Sequence, residues 1–131
     1  MGNLSFYYEM VERDKLGFMN SPDNYEIIKC ESTQKFFKSI KLKKNIIKID
    51  TQGYDEIIFQ EIPKSVLKKN QILIIEITPI NEKKINFLKY RQNLNFYKKF
   101  TDFDGNIYSK DQVIELSKKT KGKNIDLIFL K

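Results

Sequence analysis

Two short apolar runs constrain this chain more than anything else in it: residues 45–51 (NIIKIDT) and residues 71–78 (QILIIEIT). Neither alternates cleanly between apolar and polar positions; Ile46, Ile47 and Ile49 make the first apolar nearly throughout. That pattern belongs to strands buried on both faces of a parallel sheet. Gly53 breaks the first run, and Tyr54-Asp55-Glu56 opens a helix whose acids suit the positive end of the helix dipole. Tyr54, Ile57, Ile58 and Ile62 form its expected inward stripe. Pro63 ends that helix or starts a second over 64–69, and Pro79 stops the second strand.

The flanking segments extend the alternation of strands and helices. Residues 4–11 (LSFYYEMV) and 25–30 (YEIIKC) read as strands, with a polar loop at 12–24 between them. Ser32 or Thr33 caps a short helix to about Ile40, with Phe36, Phe37 and Ile40 on one face. Asn81 is the expected cap of a helix through about Leu94, with Ile85, Phe87 and Leu88 inward. Residues 95–101 form a strand, Asp104-Gly105 a turn, and residues 106–108 a strand pairing back. Ser109 caps a helix over 110–119, Gly122 closes it, and residues 125–130 (IDLIFL) are the last strand. The expected fold class is therefore α/β: one domain over residues 1–131, its sheet mostly parallel with an antiparallel C-terminal edge.

Composition removes several chemistries. The chain has no histidine and one cysteine, Cys30, so it holds no internal disulfide and no Ser-His-Asp or Cys-His site, and a zinc site is not expected. No apolar run approaches the roughly 20 residues of a membrane helix. Residues 1–20 carry Glu9, Glu12, Arg13, Asp14 and Lys15 rather than a signal peptide, so the expected location is cytoplasmic. The net charge of +7 comes from 22 Lys and only two Arg. Arg is the residue of bidentate contacts to bases and phosphates, so specific nucleic-acid recognition is not expected. Residues 33–48 hold six Lys and no acid but lack the interleaved Arg and aromatics of a nucleic-acid groove.

In open α/β sheets ligands bind beyond the carboxyl ends of the strands. Asp50 and Glu76 fall there, each near the end of one apolar run. On neighbouring strands the two carboxylates approach each other, where they could hold a metal, accept a substrate proton or bind a hydroxyl. Otherwise Asp50 caps the following helix and Glu76 is a partly exposed acid. Gln52 is a candidate hydrogen-bonding group, and Asn20-Ser21 before Pro22 a candidate substrate loop. Gly53 permits the tight turn. Asp102 and Asp104 beside Gly105 read as a hairpin turn, not a calcium loop. No GxG occurs, so a glycine-rich nucleotide turn is absent from these residues.

The stretch from Ile46 to Pro79 resembles the FkbM family of S-adenosylmethionine-dependent methyltransferases. That family carries a Lys-Ile-Asp-x-Glu-Gly-x-Glu pattern, then a helix, then a strand ending near an acid and a proline. Here the pattern reads Lys48-Ile49-Asp50-Thr51-Gln52-Gly53-Tyr54-Asp55, with Gln52 and Asp55 at the two Glu positions. The resemblance covers the later part of the family domain and implies a partial Rossmann-like methyltransferase sheet. It implies S-adenosylmethionine as cofactor and O-methylation of a sugar or similar hydroxyl. The family's opening strand and donor-binding turn have no counterpart in residues 1–131, so weak or absent donor binding by this chain is expected. Asp50 would then accept the hydroxyl proton, with Glu76 beside it and with Gln52, Asn20 and Ser21 toward the acceptor. The alternatives are a non-catalytic remnant or interaction module of the same fold and a basic nucleic-acid module. The strand edge left open by a half-domain would pair with the missing N-terminal half or, as a homodimer, with a second copy. The chain is therefore expected to dimerise or aggregate unless a segment folds over that edge, residues 4–11 being the best candidate.

Overall fold

The computed structural model describes residues 31–78, 83–118 and 124–131. The strands expected at 4–11 and 25–30, the Asn20-Ser21 loop, Cys30, the Asn81 cap and Gly122 lie outside the described residues. Helix α1 (Thr33–Ser39) starts as expected, because Ser32 Oγ accepts a hydrogen bond from the Lys35 N–H at 3.3 Å. Strand β1 (Asn45–Ile49) follows, then α2 (Asp55–Glu61), a one-turn helix α3 (Lys64–Leu67) and β2 (Asn70–Ile77). After these come α4 (Phe87–Leu94), β3 (Lys99–Asp102), β4 (Ile107–Tyr108), α5 (Lys110–Lys118) and β5 (Ile125–Leu130).

The five described strands form one sheet in the order β1-β2-β5-β3-β4. β1 and β2 run parallel, joined through α2 and α3, with Ile49 beside Ile75. The other three pairings are antiparallel. The sheet is thus less parallel than its apolar runs suggested. The C-terminal strand β5 inserts between β2 and β3, which puts antiparallel pairing directly against β2 rather than only at the edge. The β3–β4 hairpin does form the expected edge. Asp102 holds its turn by accepting from the Asn106 N–H, Asn106 Nδ2 and the Tyr108 hydroxyl, at 2.8, 2.8 and 2.9 Å. Gly105 takes φ of +89° there, which a side chain would strain.

A single core lies on the inner face of the sheet. Ile49, Leu73, Ile75, Ile77, Leu127 and Phe129 point into it, and Phe59, Tyr90, Leu94 and Val113 from the helices meet them. Phe59 stacks edge-on against Tyr90 and Phe129, with ring centroids 5.4 and 5.6 Å apart. Asn70 pins the far end of the β1–β2 pair: its Nδ2 donates to Asn45 and Ile72, and its Oδ1 accepts from the Tyr97 hydroxyl at 2.6 Å.

The outer face is much less covered, so β1 and β2 are not buried on both sides among the described residues. Ile46 is 66% exposed, and Ile72 and Ile74 are half-buried. The expected inward stripes of two helices hold in part: Ile62 after α2 and Ile85 before α4 are buried in the core, and Ile57, Ile58 and Phe87 pack half-buried against it. On α2 the buried side holds Asp55, Glu56, Phe59 and Gln60, while Ile57 and Ile58 are half-buried. On α4 the start at Phe87, capped by Asn86, buries Tyr90, Asn93 and Leu94 and leaves Leu88 69% exposed. The large Phe59 and Tyr90 rings fill the core where the smaller apolar residues were expected.

Candidate functional site

The carboxyl ends of β1 and β2 are built by a turn that α2 holds in place. Gln52 and Gly53 both take left-handed backbone, at φ of +53° and +98°. For Gly53 this is inexpensive; for Gln52 it needs support from its surroundings. Asp55 supplies it. Its carboxylate is fully buried and accepts from the Thr51 N–H at 3.3 Å, the Thr51 hydroxyl at 3.1 Å and the Gly53 N–H at 3.3 Å. Asp55, not Asp50, therefore organises the turn.

The neighbouring Glu56 does the same for β2. Its Oε1 accepts from the Thr78 N–H at 2.8 Å, tying the strand end to the first turn of α2. Burial pushes the Glu56 carboxyl up to about 7; hydrogen bonds from its own and the Thr78 N–H oppose the shift, and Asp55 and Glu76 add to it. The Thr78 hydroxyl is buried with no hydrogen-bond partner among the described residues. Gln60 ties the start of α4 to the same helix, accepting from the Asn86 N–H at 2.7 Å.

The acids singled out in the sequence lie on the opposite, outer side. Asp50 is exposed and takes Lys48 Nζ at 2.8 Å, which holds the Lys48 amine above its usual range. Glu76 accepts from Asn124 Nδ2 at 3.1 Å. The β1–β2 register sets Ile49 beside Ile75, so its next step brings Asp50 beside Glu76. The β2–β5 register then sets Glu76 opposite Asp126. A row of three carboxylates, Asp50, Glu76 and Asp126, thus crosses three adjacent strands, with Lys48 as its nearest cation.

Asp126 was missed in the sequence. Its only signal was a lone acid in the apolar run IDLIFL, and nothing local reveals that an antiparallel strand brings it to this end of the sheet. Gln52 is exposed in the turn between Asp50 and Asp55 and makes no side-chain hydrogen bond among the described residues. Among those residues no group of three or more Asp, Glu or Cys side chains is gathered closely enough to hold a metal ion. No described helix is long and apolar enough to cross a membrane.

Beside this end of the sheet, an open groove of about 870 Å³ runs between α1 and the outer edge of β1. Phe36, Phe37, Ile40, Ile46, Ile47 and Ile58 give it an apolar lining, and Asp50 and Thr51 lie at one end. The chain matches no family model, no curated protein and no solved structure.

Proposed function

We propose that this chain is the acceptor-side, C-terminal part of an FkbM-like S-adenosylmethionine-dependent methyltransferase that O-methylates a sugar or similar hydroxyl. The observation that carries the reading is the β1–α2–β2 unit. Its parallel strands end side by side, Asp50 and Glu76 stand at those ends, and a glycine turn leads into the helix between them. This is the place where open α/β sheets bind ligands. In the proposed reaction Asp50 would accept the proton of the acceptor hydroxyl, and S-adenosylmethionine, where bound, would supply the methyl group. Lys48 Nζ pairs with Asp50 at 2.8 Å at that strand end. Glu76 and Asp126 offer further acceptors for neighbouring hydroxyls of a small-molecule or glycan acceptor. Most of the acceleration would come from holding donor and acceptor in line. Rossmann-like architecture and a cytoplasmic location belong to the same reading.

The 131-residue chain by itself is expected to show no micromolar binding of S-adenosylmethionine by calorimetry. The native gene product, incubated with methyl-labelled donor and a panel of sugars, is expected to label a hydroxyl. Tight donor binding by the 131 residues alone, or no labelling by the native protein, contradicts the reading. A second reading, a non-catalytic interaction module of the same fold, is favoured by one observation: the Asp50 carboxylate already has a partner in Lys48.

A further inference from the structure

We propose that the outer edge of β1 is a docking surface for a second copy of this chain, pairing antiparallel about a two-fold axis at Ile47. The inference goes beyond the methyl-transfer reading and does not depend on it. Among the described residues β1 pairs only with β2, so half of its backbone N–H and C=O groups face outward along one edge. Such an edge recruits another strand unless it is blunted by proline, a bulge, charged side chains, a very short strand or a covering element. β1 contains no proline. The register irregularity at Asn45/Ile46 skips Gln71 on β2 and leaves β1 regular. Its one lysine, Lys48, is exposed and pairs with Asp50 at 2.8 Å. The groove beside the edge leaves room for a strand, and Phe36, Ile40 and Ile46 expose 49%, 36% and 66% of their surfaces to it.

The sequence of the edge selects a second copy as the occupant. With Ile47 opposite its own counterpart, all five residues of β1 overlap with β1 of the partner copy. Ile46 then lies across from the aliphatic stem of the partner copy's Lys48. At each end the register sets Lys44 across from the partner copy's Asp50. Lys44 is exposed and makes no ion pair among the described residues. A two-fold interface repeats every contact, so both ends close with opposite charges. Moving the axis to residue 48 would instead set Lys48 against Lys48.

Sedimentation equilibrium of the full 131-residue chain is expected to give a dimer. Ile46→Lys places a lysine opposite Lys48; position 46 is mostly exposed, so the fold is kept while the dimer is lost. Lys44→Glu sets like charges at both ends and is expected to weaken the dimer about tenfold, given the usual size of cross-strand charge pairs. Adding Asp50→Lys to Lys44→Glu reverses both signs and is expected to restore it. Circular dichroism confirms that each variant is folded. A wild-type chain that stays monomeric at its highest soluble concentration overturns the proposal, whatever else lines the groove. So does a dimer indifferent to both Ile46→Lys and Lys44→Glu.

Discussion

The two faces of the sheet hold acids in opposite ways. On the inner side Asp55 and Glu56 are almost fully buried, and each spends its carboxylate on backbone amides of a strand end. On the outer side Asp50, Glu76 and Asp126 are exposed or half-exposed, and their described partners are single side chains. The first pair sets the shape of the carboxyl-end turns; the second row is left accessible on top of that shape. An acid at a strand end is thus no guide to its task by itself. What separates the two groups is whether the donors around it are backbone amides or exposed side chains. Stability should therefore respond to changes on the inner face, and ligand binding to changes on the outer one.

The largest expected effect is in the aromatic core beneath the sheet. Phe129→Ala should cost about 3–5 kcal/mol in urea unfolding, because it empties a fully buried ring site. Ile46→Ala on the outer face should stay within about 0.5 kcal/mol. Equal losses would erase the contrast between the faces.

Glu56 gives the next effect, and its sign is unusual for an acid. Its folded-state carboxyl is raised from 4.5 to about 7, so the folded protein holds the proton more tightly than the unfolded chain does. Stability from this group is full below about pH 4.5 and is lost as pH rises toward 7. The loss is on the order of 3 kcal/mol. Glu56→Gln keeps the acceptor for the Thr78 N–H and should remove that slope. Urea titrations of both proteins from pH 4.5 to 7.5 check this; parallel curves would place Glu56 in water.

Asp55→Ala should cost about 2 kcal/mol, since it strands the Thr51 and Gly53 amides and leaves Gln52 unsupported in left-handed backbone. Hydrogen exchange should quicken first at Thr51 and Gly53. The smallest stability effect belongs to Asp50→Asn, whose only described contact is an exposed ion pair. Its thermal midpoint should match that of the wild type.

Much of the fold was legible where its causes are local. Ser32 caps α1, Asp104-Gly105 turns the hairpin, and Ser109 with Gln112 forms a reciprocal cap at the start of α5. The glycine turn before α2 was equally plain. The inward side of α2 was legible only in part, because its stripe depends on partners far away in sequence. Asp55 and Glu56 read only as acids suited to the helix dipole, and nothing local shows that Thr78, 22 residues on, supplies the amide that lets Glu56 be buried. The insertion of β5 beside β2 is likewise a long-range choice, and with it went Asp126. Asp50 and Glu76 were legible as strand-end acids, and the adjacency that would bring them together, left as a condition by the sequence, is met by the parallel β1–β2 pairing.

On the proposed reading the outer carboxylate row, and Asp50 in particular, handles the acceptor hydroxyl. The most direct test of that reading is methyl transfer from labelled S-adenosylmethionine to a sugar panel, with native gene product carrying Asp50→Asn compared against wild type and against Glu56→Gln. The expected result is that Asp50→Asn abolishes labelling in a protein of unchanged thermal midpoint, while Glu56→Gln retains it. Labelling that survives Asp50→Asn and fails with Glu56→Gln would contradict the account and move the chemistry to the inner face.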